Sequence, residues 1–202
     1  MSHVEEVRSR GLKVGLLDEV LSGGDGVVAL TFDDAYESVY SNAFPLLCSL
    51  GVTATVFVPV NYVGGMNTYD YYMDFGPRNP ARIMTWSQIR ELAAAGWSIQ
   101  SHGCSHLPLS CLEAAHVEDE LERSKATLED RVGAEVRYFA YPFGMADDSE
   151  ADADREGVLE RSGYRLAVLA DGGWTETPPP RPYLVPRYPA GGEQSHLPLL
   201  RA

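Results

Sequence analysis

Asp33 and Asp34 stand side by side in Thr31-Phe32-Asp33-Asp34, directly after an apolar, β-branched run. Adjacent carboxylates repel one another, so a cation or a shared proton is one way to hold both in a fold. The other is that one caps the following helix while its neighbour is solvated. His102 and His106 occur in Ser101-His102-Gly103-Cys104-Ser105-His106, again straight after a strand-like run. Imidazoles at this spacing either converge on one ion from a tight turn or are two loop histidines with ordinary hydrogen bonds. Neutral imidazole suits zinc, copper, nickel and iron. Cys104 between them is expected to pack, because ligands two residues apart seldom share one ion with both histidines. A third segment, Arg137-Tyr138-Phe139-Ala140-Tyr141-Pro142-Phe143-Gly144, runs a strand into a Pro/Gly turn. That turn is either a simple strand end or a device that holds a backbone N–H towards a site.

Each segment must be carried by an element. Val27–Phe32, Thr53–Val58, Trp97–Ser101, Arg137–Tyr141 and Arg165–Ala170 read as buried strands, and Tyr183–Arg187, flanked by Pro182 and interrupted by Pro186, as an edge or irregular strand. Between them lie helices predicted over Ser38–Leu50, Thr85–Ala95, Ser110–Val132 and Asp148–Ser162. Thr85/Gln88 and Ser110/Glu113 have capping-box spacing, and Gly51, Gly96, Gly133 and Gly163 mark the stops. Strand–helix alternation implies a parallel α/β sheet with helices outside, open or closed into a barrel. Its active site would sit at the C-terminal ends of the strands, where the three segments fall. Two loops are long: Asn61–Arg82, rich in Tyr, Gly and Asn, and Asp171–Pro182, which holds Trp174 and three prolines.

Composition narrows the partners. The 202 residues fit one domain, 1–202, with 45% hydrophobic residues and a formal net charge of −13. That balance disfavours nucleic acid and anionic membrane surfaces, which need clustered Lys and Arg. No run approaches the roughly 18–20 apolar residues of a membrane span, and residues 1–10 carry no apolar leader segment. The expectation is a cytoplasmic protein as the sequence stands, or an extracellular or periplasmic one if the sequence is trimmed. Three cysteines at irregular spacing argue against a disulfide framework.

Taken together and in order, TFDD, SHxxxH and RYFAYPFG resemble the first three motifs of the polysaccharide deacetylase family, with its NodB-like domain, similar to carbohydrate esterase family 4. The resemblance spans roughly Val27 to Arg187. It implies a distorted (β/α) barrel and a bound Zn2+, or another divalent transition metal such as Co2+ or Ni2+. Carried over by motif, Asp34, His102 and His106 would be the metal ligands, Asp33 the catalytic base, and the Phe143 N–H an oxyanion donor. Tyr141, Trp174 and Leu184 would line an apolar slot for the acyl methyl. The implied substrate is an N-acetylated glycan, the reaction hydrolysis of its N-acetyl group. Two alternatives stand beside it: an amide hydrolase of the same fold acting on a small N-acyl molecule, and a catalytically weak glycan-binding member.

The chain also departs from the family pattern. Ala35 stands where Gly is usual after TFDD, and Ala140 where an Arg often pairs with the base. Arg187 is the candidate replacement cation. For the general acid, His196 in Ser195-His196-Leu197 is the candidate, with His3 as another option, while His116 is expected on an exposed helix.

Overall fold

The computed structural model describes residues 3–23, 26–69, 80–144, 150–173 and 175–190. Helix α1 (His3–Ser9) leads into strand β1 (Lys13–Gly15), helix α2 (Leu17–Leu21) and strand β2 (Val27–Ala29), which pairs parallel with β1. Strands β3 (Thr31–Phe32), β4 (Thr55–Val58), β5 (Ser98–Ser101), β6 (Tyr138–Ala140), β7 (Leu166–Gly172) and β8 (Val185–Arg187) then form one parallel sheet in sequential order. Helices α3 (Phe44–Ser49), α4 (Trp86–Ala94), α5 (Ala114–Val132) and α6 (Glu150–Arg161) supply the crossovers that parallel strands require. The result is the curled, distorted (β/α) barrel implied by the strand–helix alternation and the motifs.

Side-chain alternation along the strands divides the core in two. Val56, Val58, Ile99 and Phe139 face the helices and pack with Ile89, Leu92, Leu121, Leu128 and Leu159. The residues between them, Phe57, Tyr138 and Ala140, turn to the other face with Leu166 and Val168, where Leu17 of α2 joins them. Asp18 on α2 binds Arg137, at 2.8 and 3.0 Å, and the Tyr138 hydroxyl. These contacts tie α2 to the N-terminal end of the sheet, and the residues singled out by the sequence for chemistry lie at the opposite end.

Several elements differ from the sequence reading for local reasons. The run 27–32 is two strands broken at Leu30, whose carbonyl accepts from Thr55 N at 2.9 Å. The segment after the carboxylate pair is a π-helical turn, Val39–Ala43, passing into α3. Pro45 in the first turn of α3 has no N–H to extend a regular ladder. Helix α5 starts at Ala114 with Glu113 at its N-cap, so Ser110 forms no capping box. Instead Leu109–Cys111 makes a 3₁₀ turn that drives Leu109 into the core. At α4 the expected box is present: Gln88 N donates to Thr85 Oγ1 at 3.3 Å and Thr85 N to Gln88 Oε1 at 2.8 Å. Asp148, the expected start of α6, lies outside the described residues. Among the described residues no helix is long and apolar enough to cross a membrane. Cys48, Cys104 and Cys111 are free thiols.

The Thr85 cap yields a stability prediction. Thr85→Ala is expected to cost about 1 kcal/mol, lowering Tm by roughly 2–4 °C in a chain of this size, whereas Thr85→Ser is near neutral. Thermal unfolding followed by circular dichroism measures both.

Candidate metal centre

Three elements deliver the site. Asp33 and Asp34 leave the end of β3, His102 directly follows β5, and His106 stands on the loop beyond it. His102 N donates to Val58 O at 3.1 Å, tying that loop to the end of β4. Among the described residues four non-glycine residues have positive φ: Asp34 (67°), Ala35 (52°), His106 (57°) and Phe143 (59°). Three of them line the cavity and the fourth adjoins it. Left-handed backbone costs a non-glycine residue of order 1–2 kcal/mol, so its concentration here marks conformations that the surrounding packing enforces. Ala35 stands in such a position, which accounts for Gly there in the family pattern.

The donor atoms converge. His106 Nε2 lies 3.1 Å from His102 Nε2 and 2.9 Å from Asp34 Oδ1, and His102 Nε2 lies 3.4 Å from the same oxygen. Ligands at zinc–nitrogen and zinc–oxygen bond lengths with tetrahedral angles are about 3.3–3.4 Å apart. The triad therefore has the spacing of three ligands around one small cation. His102 Nδ1 sits 2.8 Å from Ala140 O. Nδ1 must donate to that carbonyl, which leaves the Nε2 lone pair facing the cluster. Asp34 Oδ1 is buried with no hydrogen bond of good geometry, an arrangement that a cation would satisfy. These observations fit a divalent metal held by Asp34, His102 and His106, the one cluster of three such side chains among the described residues.

The electrostatics agree. Burial pushes the Asp34 carboxyl up, but the His102 and His106 imidazoles against it outweigh burial and hold the group well below the usual carboxylate range. For His102, burial pulls down while the Asp34 hydrogen bond and the charges of Asp33 and Asp34 push up, with a net rise. The cluster thus demands a positive charge, supplied by protons or by a metal. Cys104 takes no part. Its thiol donates to the Glu120 carbonyl at 3.6 Å, and burial together with the Glu120 charge pushes it up to about 12, so it packs as a neutral thiol.

Asp33 is held differently. Arg187, the last residue of β8, donates through Nη1 to Asp33 Oδ1 at 2.8 Å and through Nη2 to Oδ2 at 2.6 Å. The same guanidinium reaches Thr31 Oγ1 at 3.0 Å and the Leu169 carbonyl, and lies 5.6 Å from the centre of the Phe57 ring. Arg187 is thus the cation paired with Asp33.

An open cavity of about 210 Å³ joins Asp33, Asp34, His102 and His106 to Phe143, Gly144 and Ala170. Phe143 sits edge-on to His106, ring centres 4.7 Å apart. Gly144 permits this: a Cβ there would stand 2.3 Å from Ala170 Cβ, and its φ is +65°. Of the residues expected to line an acyl slot, Tyr141 is placed elsewhere. Strand alternation puts it on the helix-facing side, 5.4 Å from Phe139. Leu184 packs on the same core cluster and does not line the cavity. Trp174 and His196 lie outside the described residues. His3 on α1 and His116 on α5 do not line the cavity either.

Two further residues stand beside the cluster. Tyr69, in the long loop after β4, lies 3.9 Å from the His106 ring centre and is almost fully buried. Burial, then the Asp34 charge, raises its hydroxyl well above the tyrosine range. Ala170 forms the wall under Gly144. A loop tyrosine and a strand alanine carry no chemical signature in sequence.

Comparison with known proteins gives the class. The family model described as polysaccharide deacetylase matches residues 21–165, and the chain belongs to that family. A Bacillus subtilis protein, YxkH, which carries a provisional polysaccharide deacetylase name, is 27% identical over 146 residues, covering 72% of this chain and 45% of its own length. The poly-beta-1,6-N-acetyl-D-glucosamine N-deacetylase of Staphylococcus epidermidis is 25% identical over 170 residues, covering 79% of this chain and 53% of its own. The chain thus spans about half the length of the curated relatives it matches. Among solved structures, IcaB from Ammonifex degensii superposes with a TM-score of 0.73 at 22% identity, over 91% of this chain and 79% of that one.

Two binding experiments follow. Asp34→Ala and His106→Ala are each expected to lower zinc affinity more than about 100-fold, beyond the 10–100-fold typical of outer-shell changes. Competition with a chromophoric chelator reads this directly. Native affinity is expected to fall with falling pH as protons compete for the imidazoles, starting above the ordinary value of 6.5 because the His102 pKa is raised.

Proposed function

We propose that this chain is a metal-dependent N-deacetylase that hydrolyses the N-acetyl group of an amino-sugar polymer or oligomer of the poly-N-acetylglucosamine, chitin or peptidoglycan type. The observation that carries the reading is the convergence of Asp34 Oδ1, His102 Nε2 and His106 Nε2 beside an Arg-held carboxylate in one open cavity. Membership of the polysaccharide deacetylase family and the N-deacetylase named among its relatives support the substrate class. Asp34, His102 and His106 would hold a divalent metal, which would supply Lewis acidity at the cavity.

The chain's own residues divide the remaining work. Asp33 is the base: it takes a proton from the attacking water as the new C–O bond forms at the acetyl carbon. Arg187 keeps that carboxylate in a single orientation through a two-pronged contact, leaving further lone pairs on each oxygen for the water. The Phe143 backbone N–H, on the cavity rim, is the donor proposed for the oxyanion. The C–N bond then breaks, releasing acetate and an amine that must gain a proton, and His196 is the candidate donor.

Acetate release from N-acetylglucosamine oligomers tests the reading. Asp33→Asn should lose about 10²–10⁴-fold in kcat while still binding zinc. Full activity in that variant removes Asp33 as the base, and no acetate from any glycan oligomer removes the substrate class. Arg187→Lys should fall between, because an ammonium cannot reproduce the planar fork. His196→Ala with undiminished turnover takes His196 out of the mechanism.

A further inference from the structure

We propose that Glu120, in the middle of α5, is a positioning residue that sets the geometry of the His102–His106 loop and thereby the metal affinity. The proposal rests on the metal-dependent reading above and adds a residue to it. Glu120 Oε1 accepts three hydrogen bonds from this loop: Cys104 N at 2.7 Å, Ser105 N at 2.6 Å and Ser105 Oγ at 2.9 Å. Ser105 Oγ in turn lies 3.3 Å from Leu107 N, so the network runs to the residue after His106. Glu120 is 8% exposed, whereas Asp119 and Arg123 beside it pair across the exposed face of the helix. A carboxylate is buried at large cost unless it is fully hydrogen-bonded, and here the partners are backbone and hydroxyl groups of the ligand-bearing loop.

The loop needs such a clamp. Two of its residues, Gly103 and His106, have left-handed backbone, with φ of 79° and 57°. For His106 that conformation is unfavourable on its own. Yet it is the one that brings His106 Nε2 within 3.1 Å of His102 Nε2. His102 is fixed independently, by Val58 O and Ala140 O. His106 is backed by the Tyr69 ring, and the Tyr62 hydroxyl donates to Ser105 O at 3.2 Å. Of the three N–H groups between the histidines, Gly103 N donates to Ser101 Oγ at 3.2 Å, and among the described residues Glu120 alone gathers the consecutive pair from Cys104 and Ser105. Gly103 completes the arrangement, since a Cβ there would lie 2.8 Å from Glu120 Oε1. The carboxylate thus selects the loop shape in which both imidazoles face one point.

The test measures zinc affinity by chelator competition and the visible spectrum of the Co2+-loaded protein, with Tm recorded for each variant. Glu120→Gln keeps the shape but loses the charge, and is expected to bind zinc about 10-fold more weakly; Glu120→Ala about 100-fold. The Co2+ spectrum should change in both, reporting altered ligand geometry. Leu128→Val, buried two turns further along α5, should lower Tm and leave affinity within about twofold. Affinity and spectrum unchanged in the Glu120 variants overturn the proposal, as does an affinity loss that Leu128→Val shares in proportion to its Tm. If Glu120→Ala fails to fold, Ser105→Ala removes one of the three donors and should weaken binding severalfold; unaltered binding there overturns the proposal as well. A native chain that takes up no metal overturns the metal reading and this inference together, whereas tight native binding matched by Glu120→Gln overturns this inference alone.

Discussion

Three electron-rich atoms brought within about 3 Å of one another repel unless something positive lies among them, and that constraint organises the mouth of the barrel. Asp34 Oδ1 and the two Nε2 atoms meet this condition. The arrangement is reached against opposing costs. His102 and His106 are almost fully buried, and left-handed backbone appears at Asp34, Ala35, His106 and Phe143. The barrel meets these costs with the apolar layer between sheet and helices, which supports each loop from below. Function and local instability are therefore located in the same few residues, and the core stabilises what the site destabilises.

The second organising contact is Arg187 on Asp33. No backbone ladder joins β8 to β3 among the described residues, so the curl of the sheet is left open there. The Arg187 side chain spans the gap, bonding Leu169 O on β7, Thr31 on β3 and the Asp33 carboxylate beyond it. One guanidinium thus joins the end of the sheet to its beginning and orients the carboxylate proposed as base. Loss of that residue should be felt in architecture and chemistry alike. At the other end of the strands the Asp18–Arg137–Tyr138 network has no such dual role; it ties α2 to the sheet. The division matches the general polarity of barrels, with chemistry at the C-terminal ends of the strands and stability at the N-terminal ends.

Much of this was legible in sequence where a strong periodic or chemical signal exists. Short β-branched runs separated by capped helices specify parallel crossovers, and TFDD and SHxxxH, each open to an ordinary structural reading alone, point to one site when taken together and in order. Arg187 was readable only as compensation for Ala140, because nothing local says that a strand-ending arginine reaches back to β3. The direction of the Tyr141 side chain depends on the register of β6, whose alternation sends it with Phe139 towards the helices, and no local residue pattern specifies that register. Glu120 was invisible: among the acidic residues of α5 it looks like one more solvated charge, and only the docking of helix against loop buries it. Tyr69 was hidden likewise, in a long loop with no periodicity. The three-residue strand β1 and five-residue helix α2 are too short for any pattern to emerge. Local propensity thus gave the frame, and long-range packing chose the partners.

The central claim is that Asp34, His102 and His106 share one cation. Anomalous X-ray scattering at the zinc edge, from crystals grown with zinc, tests it most directly. The account predicts a single strong peak about 2.0–2.2 Å from Asp34 Oδ1, His102 Nε2 and His106 Nε2, with Asp33 beside it and still bound to Arg187. A fully folded chain with no anomalous peak at that point, or with zinc bound at another site, would contradict it.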